Sequence, residues 1–338
     1  MSQVQSLNYS THAIEDILKT IQTIKHRLPQ SAATMKKLVQ LLENSQKFIM
    51  PNCCDIFDPE IFQQSHMDLF RLPYPVTVFE APWVTADQKP VTKVNDLLMT
   101  EFSTKRIALC VEASVDHPEL EFIDGLNGIL SKFPQGGAYI IPIFWTKNTG
   151  WEITNGGVFV PYDNSVTRMK SNEISEEEIA FKTMSEAGRL SQEFTKIQAE
   201  PFVLLPEFFQ SYAHKIGIEQ SFQQILVDCH DEISMATQAC AVLNCQNIQT
   251  EVINPPAKLN KNRAKADKPP LFSYHVLQIN EKSSQSSTGV NSGTHRSPRS
   301  HLRRGHIRRL KDKITWVRSS MVNTSSTDGK IAKEYKIN

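Results

Sequence analysis

Histidine and arginine crowd together in one stretch of this chain, Thr294-His-Arg-Ser-Pro-Arg-Ser-His-Leu-Arg-Arg-Gly-His-Ile-Arg-Arg309. A histidine among arginines has the parts for metal-independent endoribonuclease chemistry. Imidazole serves as general base or acid, and guanidinium stabilises the extra charge on a pentavalent phosphate. Read as a strand, residues 301–309 alternate in direction. Leu302, Arg304, His306 and Arg308 then face one way, and His301, Arg303, Gly305, Ile307 and Arg309 the other. His306, His301 and Arg304 are the candidate catalytic residues. Arg296, Arg299, Arg303, Arg308, Arg309, Lys311 and Arg318 are the candidate nucleic-acid contacts, because arginine forks bind phosphate bidentately. Trp316 joins them as a ring that can stack on a base, as does Tyr274, although such rings more often serve as core or cross-strand partners.

The plainer reading is a solvated basic face, or a surface for an acidic partner or for the acidic part of the same chain. Metal ligation by His295, His301 and His306 is disfavoured, since the surrounding cations oppose a divalent ion and no carboxylate joins them. No metal and no cofactor are expected. Elsewhere, Glu80 and Glu112 follow apolar strands and form a carboxylate pair if they meet at one sheet end, an arrangement that chance produces easily. Cys229-His-Asp231 lies inside a helical pattern that points the three side chains apart, which argues against a Cys–His dyad. There is no Walker A, G-x-G-x-x-G, H-E-x-x-H or G-x-S-x-G motif.

Charge divides the chain in two. Residues 251–338 carry 18 Lys+Arg against 6 Asp+Glu, leaving 19 against 30 for residues 1–250 out of 37 and 36 overall. A basic end that meets a polyanion and an acidic body with another task fit that split. The 40% hydrophobic share and mean hydropathy of −0.35 are ordinary for a soluble protein. No apolar window is long enough for a transmembrane helix, and the N-terminus lacks a secretion pattern, so a cytoplasmic protein without a membrane partner is expected. The six cysteines show no Cys-x-x-Cys pair and are read as reduced, mostly buried thiols; a zinc site at Cys240 and Cys245 has little support.

The elements that must position the cluster follow from periodicity. Ile14, Ile17, Leu18, Ile21 and Ile24 predict an amphipathic helix over residues 11–28, ended by Pro29. Ser31 can cap a second helix carrying Met35, Leu38, Leu41 and Leu42. Strands are predicted at 76–79, 106–112, 136–145 and 151–160, the last two joined by Lys147-Asn-Thr-Gly150. Ser175-Glu-Glu-Glu178 matches a capping box and predicts a helix to about Lys196. A further helix is predicted from about Glu219 to Asn244. Residues 301–310 and 314–322 predict a hairpin around Lys311-Asp-Lys313. The fold class is α+β: an N-terminal helical pair and a mixed, mostly antiparallel sheet with covering helices, then a small basic β-rich module. The expected divisions are a helical hairpin (1–50), an acidic partner-recognition body (51–253), a Pro/Lys-rich extended linker (254–270), a basic β-rich RNA-contacting module (271–323) and a flexible tail (324–338).

His295-Arg-Ser-Pro-Arg-Ser-His-Leu-Arg-Arg-Gly-His-Ile-Arg-Arg309, with Ile314-Thr-Trp-Val-Arg318 and Met321-Val-Asn323, resembles the C-terminus of a type V-A anti-CRISPR family of phages and prophages. The shared features are the Arg304-Gly-His306 core, its basic approach, and the following Trp/Val/Arg strand. Asn254-Pro-Pro-Ala-Lys-Leu-Asn-Lys-Asn-Arg263 and Pro270-Leu-Phe-Ser-Tyr-His-Val-Leu277 resemble prophage relatives of that family. The C-terminal resemblance covers residues 294–323 and leaves residues 1–250 matched only in broad character. It implies an anti-defence protein in the cytoplasm of a bacterial host that lowers effector messenger RNA in a translation-dependent way. The implied partners are mRNA or ribosome-associated RNA, and a nascent or mature CRISPR effector or another host defence protein. The alternative is a non-catalytic nucleic-acid- or protein-binding prophage protein.

Overall fold

Apolar strands with both faces covered build the centre of the molecule. The computed structural model describes residues 7–56, 62–84, 93–94, 97–98, 103–114, 129–279, 301–303, 306–309, 313–317 and 320–322. The helices are α1 (Tyr9–Ile24), α2 (Pro29–Asn44), α3 (Gln64–Met67), α4 (Ile129–Lys132), α5 (Ile179–Glu186), α6 (Pro206–Ile216), α7 (Ile218–Leu243) and α8 (Ala257–Lys265). The first strands are β1 (Gln46–Ile49), β2 (Val76–Pro82), β3 (Lys93–Val94), β4 (Leu97–Leu98), β5 (Lys105–Ala113) and β6 (Gly137–Thr146). Next come β7 (Gly150–Ile153), β8 (Gly156–Pro161), β9 (Thr167–Lys170), β10 (Glu193–Lys196) and β11 (Glu200–Val203). The last are β12 (Ile248–Ile253), β13 (Tyr274–Ile279), β14 (His301–Arg303), β15 (His306–Arg309), β16 (Ile314–Val317) and β17 (Ser320–Val322).

A nine-stranded sheet runs β11-β8-β6-β5-β2-β1-β13-β12, with β7 added to β6. Among the described residues only the β1–β2 and β1–β13 pairs are parallel. The expected α+β class with a mixed, mostly antiparallel sheet is observed. Strand residues alternate between two cores. Val78, Leu109 and Ile141 face α1 and α2, while Phe79, Cys110 and Ile140 face α7. Small residues on both sides of that second interface, Ala108 and Ala138 on the sheet and Ala236, Ala239 and Cys240 on the helix, are all fully buried. Their size lets α7 lie close to the sheet. At Gly156 a Cβ would collide with Ile225 of α7 and the Phe202 carbonyl, so only glycine fits.

Residues distant in sequence set the ends of the N-terminal helices. The Glu80 carboxylate accepts from the Tyr9 and Ser10 amides at 3.0 and 2.7 Å, at the start of α1. Glu207 accepts from the Gln30 and Ser31 amides at the start of α2. Ser31 is thus the third residue of α2 and not its cap, and Pro29 opens this helix at a position that suits its missing N–H. Opposite Pro142, in the middle of β6, the predicted strand over 151–160 breaks into β7 and β8. A proline supplies no amide to the ladder there.

Three further expectations are corrected. The helix predicted from Ser175 to Lys196 is only α5, because Gly188 adopts φ +70° and the chain turns into β10. The Glu178 side chain does reach back to the Ser175 amide, at 3.0 Å, but ahead of the helix. The extended linker at 254–270 contains α8. No α8 residue is buried, so polar clamps hold it: Arg263 pairs with Glu15 of α1, and Asn260 bonds both backbone groups of Leu271 at 2.9 and 2.8 Å. Finally, β13 lies between β1 and β12 in the main sheet, so residues 274–279 belong to the body and not to a separate basic module.

Candidate nucleic-acid interface

The predicted C-terminal hairpin is present. Strand β15 pairs with β16 in the register His306↔Val317, Ile307↔Trp316, Arg308↔Thr315 and Arg309↔Ile314. Strand β14 pairs with β17, placing His301 opposite Val322 and Arg303 opposite Ser320. Arg296, Arg299, Arg304, Lys311 and Arg318 lie outside the described residues, as does the tail expected from 324.

One side of the hairpin is fastened to the body. Trp316 is 5% exposed and joins the α7-side core, with Ile307 and Ile314 packed against it. The Asn247 side chain bonds both backbone groups of Trp316 at 2.6 Å, and the Gln246 amide donates to the Ile314 carbonyl at 3.0 Å. Asn247 thus acts as a short piece of strand edge. Arg309 reaches back as well, donating to the Ser65 carbonyl at 2.7 Å and to Asp68 at 3.2 Å. The expected base-stacking role of Trp316 is therefore corrected, because its ring is enclosed by core side chains. Tyr274 is also enclosed, and its hydroxyl donates to Glu80 at 2.9 Å. Arg308 is exposed and has no ion-pair partner among the described residues.

Glu80 and Glu112 do not meet. In the β2–β5 ladder Glu80 stands opposite Ile107, while Val76 at the other end stands opposite Val111. Burial raises the pKa of Glu80, yet its carboxylate is satisfied by Ser10, Tyr9 and Tyr274. It is an anchor for α1. The Cys229 thiol is fully buried, and burial pushes its pKa well up, which agrees with the case against a dyad. Among the described residues no cluster of His, Cys, Asp or Glu is arranged to hold a metal, and Cys240 and Cys245 are free thiols.

A second polar constellation escaped the sequence reading. Arg106 of β5 is buried and donates to Glu232 and Asp231 of α7, both at 2.9 Å. Its guanidinium also lies 5.2 Å from the Trp83 ring centre. Arg189 adds a third contact, 2.7 Å to the same Asp231 oxygen. Burial raises Glu232 to about 7 against the pull of Arg106. Burial also opposes ionisation of Asp231, but Arg189 and Arg106 together hold it well below the usual carboxylate range. Arg106 Nε and Glu232 Oε2 are buried without a hydrogen-bond partner among the described residues. His230, the neighbouring residue, is lowered to about 4, first by burial. A signal for this group did exist. Ile225, Cys229, Glu232, Ala236 and Ala239 share the i, i+3/i+4 spacing of the buried stripe of α7, so Glu232 is a charge where an apolar side chain belongs.

Arg189 and His230 line a cavity of about 640 Å³ between the β9–β10 strand pair, α5 and α7. Phe181 and Phe194 stack in its wall with ring centres 5.6 Å apart. Comparison of the chain with protein-family models, with curated proteins and with solved structures finds no match.

Proposed function

We propose that this chain is an anti-CRISPR-like anti-defence protein of a phage or prophage, acting in the bacterial cytoplasm, whose basic C-terminal hairpin contacts RNA. Its acidic body recognises a nascent or mature target protein, and the pair of contacts lowers expression of that target. The observation that carries this reading is the anchored hairpin. Trp316, Ile307 and Ile314 hold one face against the core, while Arg308 on the same strand as Arg309 stays exposed and uncommitted. A guanidinium held on a docked strand meets a phosphate with less loss of freedom than one on a loose tail. The excess of Lys and Arg after residue 250 supports the same reading. No helix among the described residues is long and apolar enough to cross a membrane.

RNA cleavage by His306 or His301, aided by Arg304, is a separable step of this proposal. A non-catalytic binder is the second reading, favoured because Arg309 and Trp316 serve as anchors and leave less of the cluster for chemistry. Affinity of the full chain for a single-stranded RNA, followed against salt, tests the contact. The proposal expects affinity to fall steeply with salt, and Arg308→Ala to reduce the log–log slope by about 0.7. Affinity that ignores salt, or an Arg308→Ala slope equal to wild type, contradicts it. Loss of target message that persists in His306→Ala would remove the catalytic step alone.

A further inference from the structure

The cavity beside α7 has the size of a binding site for a small molecule. Its volume of about 640 Å³ lies within the range of roughly 300–1,000 Å³ usual for such sites. Lining residues run along α7 from Gln223 to Gln238. At 1.5 Å per residue that is a path of roughly 22 Å. Phe181, Met184, Phe194, Leu226 and Ile233 make most of the wall apolar.

Of the charged groups in the wall, most are already answered. Lys196 pairs with Glu178, and Glu193 with Arg168 at 3.5 Å, while Glu177 is exposed to water. Two groups differ. Arg189 spends one nitrogen on Asp231, and its other donors have no partner among the described residues. The His230 imidazole likewise makes no hydrogen bond among the described residues. Behind them one carboxylate oxygen serves two cations: Arg106 and Arg189 both contact the same Asp231 oxygen, and Arg106 also pairs with Glu232. Arg189 therefore keeps donors at the edge of the apolar cavity that a single anion can answer. The guanidinium fork suits a carboxylate, and the neutral imidazole can add one N–H donor.

We propose that this cavity binds a small monocarboxylate with an apolar body, of the medium-chain fatty acid or aryl-carboxylate class. The carboxylate sits on Arg189 and His230, and the apolar body lies between Phe181, Phe194 and Leu226. This site is independent of RNA contact by the hairpin.

The test is calorimetric titration of the full chain with decanoate, and with decanol as the uncharged analogue. Decanoate binds saturably to one site, and decanol at least about tenfold more weakly, the value of one charge-assisted contact. Arg189→Gln, which keeps a hydrogen bond available to Asp231, weakens decanoate about tenfold and leaves decanol unchanged. Leu226→Trp fills the cavity and removes binding of both, with circular dichroism showing that the variant is folded. Absence of saturable decanoate binding by the wild type overturns the site. Equal binding of decanoate and decanol, or decanoate binding that survives Leu226→Trp in a folded protein, overturns it too.

Discussion

The C-terminal hairpin and the α7 polar cluster use arginine in opposite ways. Arg308 stands in water, where a lone cation costs little and is free to meet a phosphate. Arg106 is buried to within 6% exposure and is held there by its ion pairs with Asp231 and Glu232. The first contributes charge to the surface and almost nothing to stability. The second is bound to the fold, so that removing either partner leaves the other stranded. The difference teaches that a visible charge cluster in a sequence points to binding, whereas a structurally costly charge hides as a single residue in an apolar stripe.

The sharpest way to break this contrast is Arg106→Ala. It leaves buried Glu232 without its cation and Asp231 with Arg189 alone, and should cost about 3–5 kcal/mol in urea denaturation. An Arg106→Met/Glu232→Met pair should recover most of that loss, since well-packed apolar groups of similar volume often replace a buried ion pair without penalty. A loss under about 1 kcal/mol for Arg106→Ala would mean the cluster is effectively solvated.

Next in size is Trp316→Ala, expected to cost about 3 kcal/mol through a lost core ring. Hydrogen exchange should show the loss concentrated in β15 and β16, with α1 and α2 unaffected. Uniform loss across the chain would make the hairpin part of the global folding unit.

The cluster also sets two opposed pH slopes. Burial raises Glu232 from 4.5 to about 7, so the folded state holds a proton that the unfolded state has released. Its contribution therefore falls as pH rises between about 4.5 and 7. His230 is lowered from 6.5 to about 4, so the folded state binds fewer protons and its contribution rises with pH over about 4 to 6.5. The two oppose each other in the wild type. Glu232→Gln should leave the rising slope, and His230→Asn the falling one, both read from denaturation midpoints across pH 4–7.5. Parallel profiles for all three proteins would show that neither group titrates in that window.

The smallest effect on stability is expected for Arg308→Ala, within about 0.5 kcal/mol. This same variant should weaken RNA binding, so stability and binding separate at the hairpin and coincide at the α7 cluster.

Much of the fold was legible in the sequence. Apolar residues of α1, α2 and α7 repeat at helical spacing, and the β6–β7 turn and C-terminal hairpin follow from apolar runs around polar loops. Several elements were not, among them β1, β9 to β12, α6 and α8. Helix α8 carries no apolar face and is held by Glu15, some 248 residues away, so no local pattern reveals it. Strand β13 falls at the start of the expected β-rich module, but its place between β1 and β12 depends on pairing across the whole chain. Of the candidate interface, the hairpin and its exposed Arg308 were legible, because alternation in a strand is local. The anchoring roles of Trp316 and Arg309 were not, since Asn247 and Asp68 are named only by tertiary contact. The Arg106–Glu232 pair spans 126 residues. Its one local sign was a glutamate on a buried helical stripe.

The measurement that tests the central claim most directly is crosslinking in cells, with sequencing of the RNA attached to the wild type and to Arg308→Glu. Enrichment of a few messages near the starts of coding sequences, lost in the variant, is the predicted result. RNA recovery at background from the wild type, or an unchanged set of messages in Arg308→Glu, would contradict RNA contact through the hairpin.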